Sequence, residues 1–356
     1  MSYYILPKNI NVINVNPQYS DEITKPYVSS SLLNYYCQIK KQIIDMFSND
    51  TDISNNTFDD AIKIINPCEF IFSKVPGSKF SVSKLRPQTN LFYDLLEISN
   101  SLNIFDLFKT SEIIFLHISP NNIDSLECFE QLREDFSDNH ILFNNINIDN
   151  ELSECKFDFI FYETDLSNYF YSLIQIVIFI LKNQNNNGVS IIKIGEIFYK
   201  PVVDILYFLS SLYDKVYICK PSTNNITSFD RYIVCKNFQC YDSTNTYLRS
   251  NYIRLIIFLK KLQDKHIKEI FDFNIPYYFK NKIDDLNIII GQQQLEALDQ
   301  IITIYKNKNK DDKIESVKKN NIQKSVSWCE KHKIPCNKFN EKINIFLPII
   351  NGNEII

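Results

Sequence analysis

The chain has 356 residues, 45% of them hydrophobic, and a net charge of −4. It can bury a large core with room for flanking pieces, and its charge excludes a protein that coats nucleic acid over its whole surface, though not one with a local basic face. Only five glycines occur, at 77, 188, 195, 291 and 352, too far apart for a glycine-rich phosphate loop, which excludes P-loop and dinucleotide-binding readings. Nine cysteines without CxxC pairs, and no charged-then-apolar leader, predict reduced thiols in the cytoplasm.

Residues 1–56 mix aromatic and polar side chains and end in Ser48-Asn-Asp-Thr-Asp-Ile-Ser-Asn-Asn56, predicting an N-terminal arm closed by a soft linker. Residues 57–112 read as a helical lead-in, in which Leu91, Leu95 and Ile98 fall at helical spacing. From 113 to 240 strands and helices alternate: a strand at 113–118, a helix near 123–135, strands at 141–143 and 157–161, and a helix over 166–182. The apolar run 169–181 contains Gln175 and is shorter than the ~20 residues a bilayer span needs, so it predicts a buried helix and no membrane partner.

The stretch 188–238 is the most informative. Gly188-Val-Ser-Ile-Ile-Lys193-Ile-Gly195 reads as a strand, an amphipathic segment follows, and Val216-Tyr-Ile-Cys-Lys220-Pro221-Ser222 is a second strand. After a polar loop, Ser228-Phe-Asp230-Arg231-Tyr232-Ile-Val-Cys235 starts a third. The loop 221–229 is too short for a crossover helix, so the last strand must run antiparallel to 215–220. Residues 241–356 read as helical, over 247–265, 292–306 and 321–331, and between 301 and 340 ten Lys stand against four Asp and Glu. This surplus is the one basic patch; as a solvated helix face it needs no function, and as a phosphate-binding face it implies RNA. The whole predicts a Rossmann-like α/β sandwich: a mainly parallel sheet, a C-terminal antiparallel hairpin strand, and helical N- and C-terminal extensions.

An apolar strand ending in Lys, a Lys-Pro after the next strand, and a Ser-x-x-Arg-Tyr start to the last resemble the C-terminal half of FtsJ-like ribose 2′-O-methyltransferases. Here these are Ile191-Ile192-Lys193, Lys220-Pro221 and Ser228-Phe229-Asp230-Arg231-Tyr232. The resemblance covers about 80–240 and is nearest to viral cap methyltransferase relatives. An AT-rich coding bias toward Asn, Ile, Lys, Tyr and Phe fits a large DNA virus or a protist. The resemblance implies S-adenosylmethionine as cofactor, RNA, capped mRNA included, as substrate, and a protein partner in a transcription or capping assembly, with no DNA.

The family surrounds the attacking ribose hydroxyl with Lys, Asp, Lys and Glu in chain order. At the matching positions stand Asp94, Glu163, Lys193 and Asp230. Only Lys193 is kept in kind, and three acids around one lysine should hold it protonated, a weak base. Lys84 and Lys109 are candidate compensating cations. The family's cofactor loop, an acid followed by Pro-Gly-Gly, is matched by Ile118-Ser119-Pro120-Asn121-Asn122. Asparagine tolerates the left-handed backbone that glycine supplies, so the turn can persist while its side chains enter the space a cofactor would use. Asp124 and Asp149 are the substitute acids in reach of that loop by sequence. The resemblance therefore implies a catalytic set of Lys193, Glu163, Asp230 and Asp94, a cofactor set of Ser119, Pro120, Asn121, Asn122 and Asp149, and a degenerate enzyme or a non-catalytic RNA-binding subunit on the same fold. Cys329, His332 and Cys336 have zinc-ligand spacing without a fourth ligand in view, and helix packing is the commoner reason for such residues.

Overall fold

The computed structural model describes residues 1–48, 57–76, 78, 81–145, 155–239, 246–262, 265–307 and 311–337. In chain order its elements are β1 (Ser2–Ile5), β2 (Gln18–Ser20), α1 (Ser30–Ser48), α2 (Phe58–Ile65), α3 (Leu91–Leu102), β3 (Ile114–Ile118), α4 (Asn122–Leu132), β4 (Asn139–Phe143) and β5 (Phe157–Glu163). Then follow α5 (Tyr169–Asn183), β6 (Gln184–Ile194), α6 (Lys200–Leu212), β7 (Tyr213–Lys220), β8 (Arg231–Phe238), α7 (Thr246–Lys260), β9 (His266–Glu269), α8 (Tyr277–Lys306) and α9 (Asp311–Lys331).

Seven strands form one sheet in the order β1-β7-β8-β6-β5-β3-β4. Strands β4, β3, β5 and β6 are mutually parallel, and β8 lies antiparallel between β6 and β7. This is the expected methyltransferase-type sandwich with its C-terminal hairpin, Val216 opposite Cys235 and Cys219 opposite Tyr232. The central strands are apolar on both faces because helices cover both. Side chains alternate between two cores: Leu116, Ile160 and Ile192 point into one with α5, α6 and α7, while Phe115, Phe159, Phe161 and Ile191 point into the other with α3 and α4.

Helix α8 runs 30 residues, longer than the 292–306 segment the sequence marks. Phe279, Ile283, Leu286 and Ile290 pack into the first core, and Ala297, Leu298, Ile301 and Ile304 into the second. It thus crosses the rim of the sheet and belongs to both layers. Gly291 lets α1 cross it closely, since a Cβ there would stand 2.5 Å from a Leu32 methyl. Helix α9 likewise begins ten residues before the 321–331 segment.

The first 48 residues add two strands and a helix to the body that their composition does not announce, β2 pairing antiparallel with β9 in a separate two-stranded sheet. Strand β1 pairs antiparallel with β7 at the sheet's edge, from Ser2 opposite Lys220 to Ile5 opposite Tyr217. It is four residues long, with Tyr3 and Ile5 facing outward, so it carries little apolar signal. Helix α1 buries only Leu33, Tyr36 and Ile43 in 19 residues, a stripe too thin to stand out in sequence. Most of the soft linker, residues 49–56, lies outside the described residues.

His117 of β3 and the half-buried His140 of β4 form a hydrogen-bonded chain with Ser125 of α4. The Ser125 hydroxyl donates to the Asn122 carbonyl at 2.8 Å, so it accepts from His117 Nδ1 at 2.8 Å, and His117 Nε2 accepts from His140 Nδ1 at 2.9 Å. Burial first, and His140 second, hold His117 neutral by pushing its pKa down to about 3. The unfolded chain takes up this proton as pH falls through about 6.5 while the folded chain does not. Stability should therefore fall on acidification over that window, by roughly 1.5 kcal/mol between pH 6.5 and 5 from this residue alone. Denaturant melts at both pH values should show a clearly smaller loss for His117→Gln; an equal loss would remove His117 as the cause.

Candidate functional site

The chain leaves β3 for β4 on one side and returns to β5 on the other, which makes the carboxyl ends of β3 and β5 the switch point where open α/β sheets bind ligands. Ser119 follows β3 directly, and its hydroxyl donates to Glu163 Oε2 at 2.6 Å across that crevice. Glu163 Oε1 accepts from Lys193 Nζ at 2.6 Å, a pairing set by the parallel ladder, in which the two residues are register partners. Burial alone would lower the Lys193 pKa, but Glu163, with Asp94 and Asp230 adding their fields, turns the net shift upward. The ammonium keeps its proton.

Asp94 on α3 is fully buried and bound on every side: Thr223 Oγ1 donates to one oxygen, and Asn224 Nδ2 at 3.1 Å and the Tyr232 hydroxyl at 2.9 Å donate to the other. Burial raises its pKa to about 6, against the pull of these donors and of Lys193. Asp230 stands at the start of β8, half-buried, and acts on Lys193 through its field. The structure thus brings all four positions of the predicted catalytic set to one rim, with a direct bond only between Lys193 and Glu163. Neither proposed compensating cation is there. Lys84 is exposed, with its backbone N–H on the Pro335 carbonyl, and Lys109 pairs with Asp106 at 3.0 Å on the surface.

The cation that does accompany Asp94 is Lys220, the last residue of β7. It is 7% exposed, and its ammonium donates to Asn224 Oδ1 at 2.7 Å, the Asp230 carbonyl at 2.9 Å, the Ser228 carbonyl at 3.0 Å and the Ser228 hydroxyl at 3.1 Å. Burial lowers its pKa to about 7, opposed by Asp230 and Asp94 and reinforced by Arg231 and Lys193. In the sequence Lys220 stands out only as half of a Lys-Pro pair. The signal that could have found it is a lysine closing an otherwise apolar strand before a loop rich in Ser, Thr and Asn. Tyr232, the donor that tethers Asp94, has no signal beyond its place in the Arg-Tyr start of β8.

The cofactor loop differs from expectation in its backbone. Asn121 has φ −111°, and neither it nor Asn122 is left-handed. The turn closes because the Ser119 hydroxyl accepts the Asn121 N–H at 3.0 Å, a side-chain turn that needs no glycine. Asn122 Nδ2 donates to Asn144 Oδ1 at 3.1 Å, bridging the carboxyl ends of β3 and β4. Pro120 is exposed at the tip. Asp124 is fully buried and already accepts the Gln88 N–H at 2.8 Å and the Thr89 N–H at 2.7 Å, so it cannot receive a ligand's ammonium. Asp149 lies outside the described residues. At the switch point Glu163 is the acid present, and it is committed to Ser119 and Lys193. The described residues therefore do not fit S-adenosylmethionine as the family holds it.

Cys329 is buried, and His332 lies against Trp328 at 4.4 Å between ring centroids with Nδ1 accepting from Asn100 at 3.2 Å. Among the described residues no three ligand-type side chains are grouped to hold a metal, so the zinc spacing is met by helix packing instead.

No family model matches the chain, and no curated protein matches it in sequence. Among solved structures it is similar to phosphoethanolamine N-methyltransferase 2 of Haemonchus contortus in complex with phosphomonomethylethanolamine and S-adenosylhomocysteine, at 12% identity and a TM-score of 0.27. The likeness covers 43% of this chain and 41% of that one, and at that level it does not bear on activity.

Lys220→Met should destabilise the protein by roughly 3 kcal/mol, because it strips donors from several buried acceptors at once, whereas Lys193→Met at the wetter end should cost about 1 kcal/mol. Because the folded-state pKa of Lys220 lies below its unfolded value, the penalty for burying its charge is full below about pH 7 and fades as pH rises toward 10.5. Wild type should therefore gain on Lys220→Met as pH rises from 7 to 9. Urea melts of both variants at the two pH values check the order and the sign.

Proposed function

We propose that this chain is a degenerate FtsJ-like RNA ribose 2′-O-methyltransferase, a protein that keeps the methyltransferase fold and binds RNA at the rim of the sheet without efficient methyl transfer. The observation that carries this reading is the 2.6 Å bond that holds the Lys193 ammonium on Glu163, with Asp94 and Asp230 acting on the same charge. A ribose hydroxyl becomes a nucleophile only if a neighbouring group accepts its proton. Lys193 has no lone pair to offer while it stays protonated, and Glu163 already accepts from two donors. An ammonium in that position remains a good donor to a ribose or phosphate oxygen. Binding therefore outlives chemistry here.

Capped mRNA is the substrate class inherited with the fold, and a transcription or capping assembly in the cytoplasm is the setting in which a non-transferring subunit would act. The Asn121–Asn122 segment supports the same reading, since the Ser119 hydroxyl closes its turn and Asn122 is tied to Asn144, where the family carries glycines.

Calorimetric titration of the purified protein with S-adenosylmethionine should give no micromolar binding, and wild type should retain capped RNA in a mobility-shift assay without transferring label to it. Asn121→Gly with Asn122→Gly should open the loop without restoring transfer, because no free acid returns with it. Methyl transfer by wild type, abolished in Lys193→Ala, would overturn the proposal and make Lys193 the base.

A further inference from the structure

We propose that the cleft between the β7–β8 loop and the facing sides of α8 and α9 is a binding site for a nucleoside 5′-polyphosphate, taken either free or as the 5′ end of an RNA. The cleft encloses about 500 Å³, within the range of small-molecule sites. Lys220 contributes to its inner wall and Lys324 and Lys331 to its α9 side, and among the described residues no Asp or Glu lines it.

A few lysines on a solvated helix are commonplace, and three features separate these. Lys324 and Lys331 are seven residues apart and so share one face of α9, with Trp328 between them on the same wall. Both are exposed and without an acidic partner among the described residues, whereas Lys318 on the same helix is paired with Glu315 at 2.9 Å. The space between the ammoniums is not solvent-like, since Pro67, Pro221, Ile226, Ile290 and Trp328 give it apolar walls. The Trp328 indole N–H is buried and has no acceptor among the described residues.

Inorganic phosphate would use the lysines and leave the apolar walls uncovered; a base with a polyphosphate tail uses both. The amides of Gln293 and Gln323 border the same space and can read a base edge. Because Lys220 also acts electrostatically on the Lys193 rim, a chain anchored here by its 5′ end would begin beside that rim. The RNA form of the proposal rests on the reading of this protein as an RNA binder; the cleft itself does not.

Trp328 is the chain's one tryptophan, so its fluorescence reports on the cleft. Titration with ATP should give a saturable change, and an RNA with a 5′-triphosphate should bind at least tenfold tighter than the same RNA with a 5′-hydroxyl. Lys324→Ala with Lys331→Ala, both exposed positions, should weaken ATP and triphosphate RNA at least tenfold and leave the hydroxyl RNA unchanged. It should also lower the salt slope for triphosphate RNA by about 0.7 for each phosphate that is no longer neutralised. ATP binding with no RNA binding would support the cleft as a free-nucleotide site while removing the RNA reading. No response to ATP, or equal affinity of wild type and the double variant for triphosphate RNA, would overturn the cleft even where RNA binds.

Discussion

The arrangement of the rim depends on burying one ammonium. Lys220 closes an apolar strand inside the body of the protein, where a lone charge is costly, and the loop that follows folds back so that Asn224, Ser228 and Asp230 supply oxygens in place of water. That wrapped loop is then held from outside by elements distant in sequence. Glu97 of α3 accepts the Ser222 N–H at 2.7 Å, Asn66 Oδ1 accepts the Ile226 N–H at 3.0 Å, Tyr36 of α1 donates to the Thr227 carbonyl, and Gln294 of α8 donates to the Ser228 carbonyl at 2.6 Å. A polar ten-residue connection, which its composition marks as a surface loop, is instead largely interior, with Thr223, Asn224 and Thr227 all buried.

The same ammonium explains how an acid can be held in the interior at position 94. Asp94 is buried beside Lys220 and within the field of Lys193, and three side chains donate to it. An aspartate there in isolation would be expelled or neutralised. Two of its donors, Thr223 and Asn224, come from the loop that Lys220 organises, and the third, Tyr232, from the strand that loop delivers. The charge at position 94 is thus compensated by neighbours, and the rim forms one electrostatic unit.

The sheet was legible because its central strands are apolar on both faces and bounded by Gly or Pro, and because a nine-residue polar loop cannot carry a crossover. Strand β1 and helix α1 were not, since each buries too few side chains to leave a period. The length of α8 was hidden by its polar face, Asn281, Lys282, Asp284 and Asp285, between core positions that feed two different cores. At the site, residue identity gave Lys193, Glu163, Asp94 and Asp230 their places on the rim, but burial and pairing are tertiary facts. No sequence pattern says that Lys220 is interior, or that Ser119 would take over the turn left without glycine.

The C-terminal helices are part of the rim and do not merely follow it. Asn287 of α8 accepts from Arg231 Nη1 at 2.7 Å and donates to the Ile197 carbonyl at 2.8 Å, and one side of the β8 start is thereby fixed to the end of the loop after β6. Arg231 is wholly buried, its Nε and Nη2 without an acceptor among the described residues and its pKa lowered by burial to about 10, so Asn287 supplies a bonded oxygen that lets this cation stay inside. Asn287 and Gln294 lie seven residues apart on one face of α8, which is why a single helix can hold both ends of the β8 approach. Helix α9 then docks on α2 through Asn321, which donates to the Ile64 carbonyl at 2.8 Å. A lysine-rich helix fixed in this way presents its charges at a set distance from a buried lysine, and a mobile basic tail could not. The same anchoring of the rim gives the cleft beside it a defined shape.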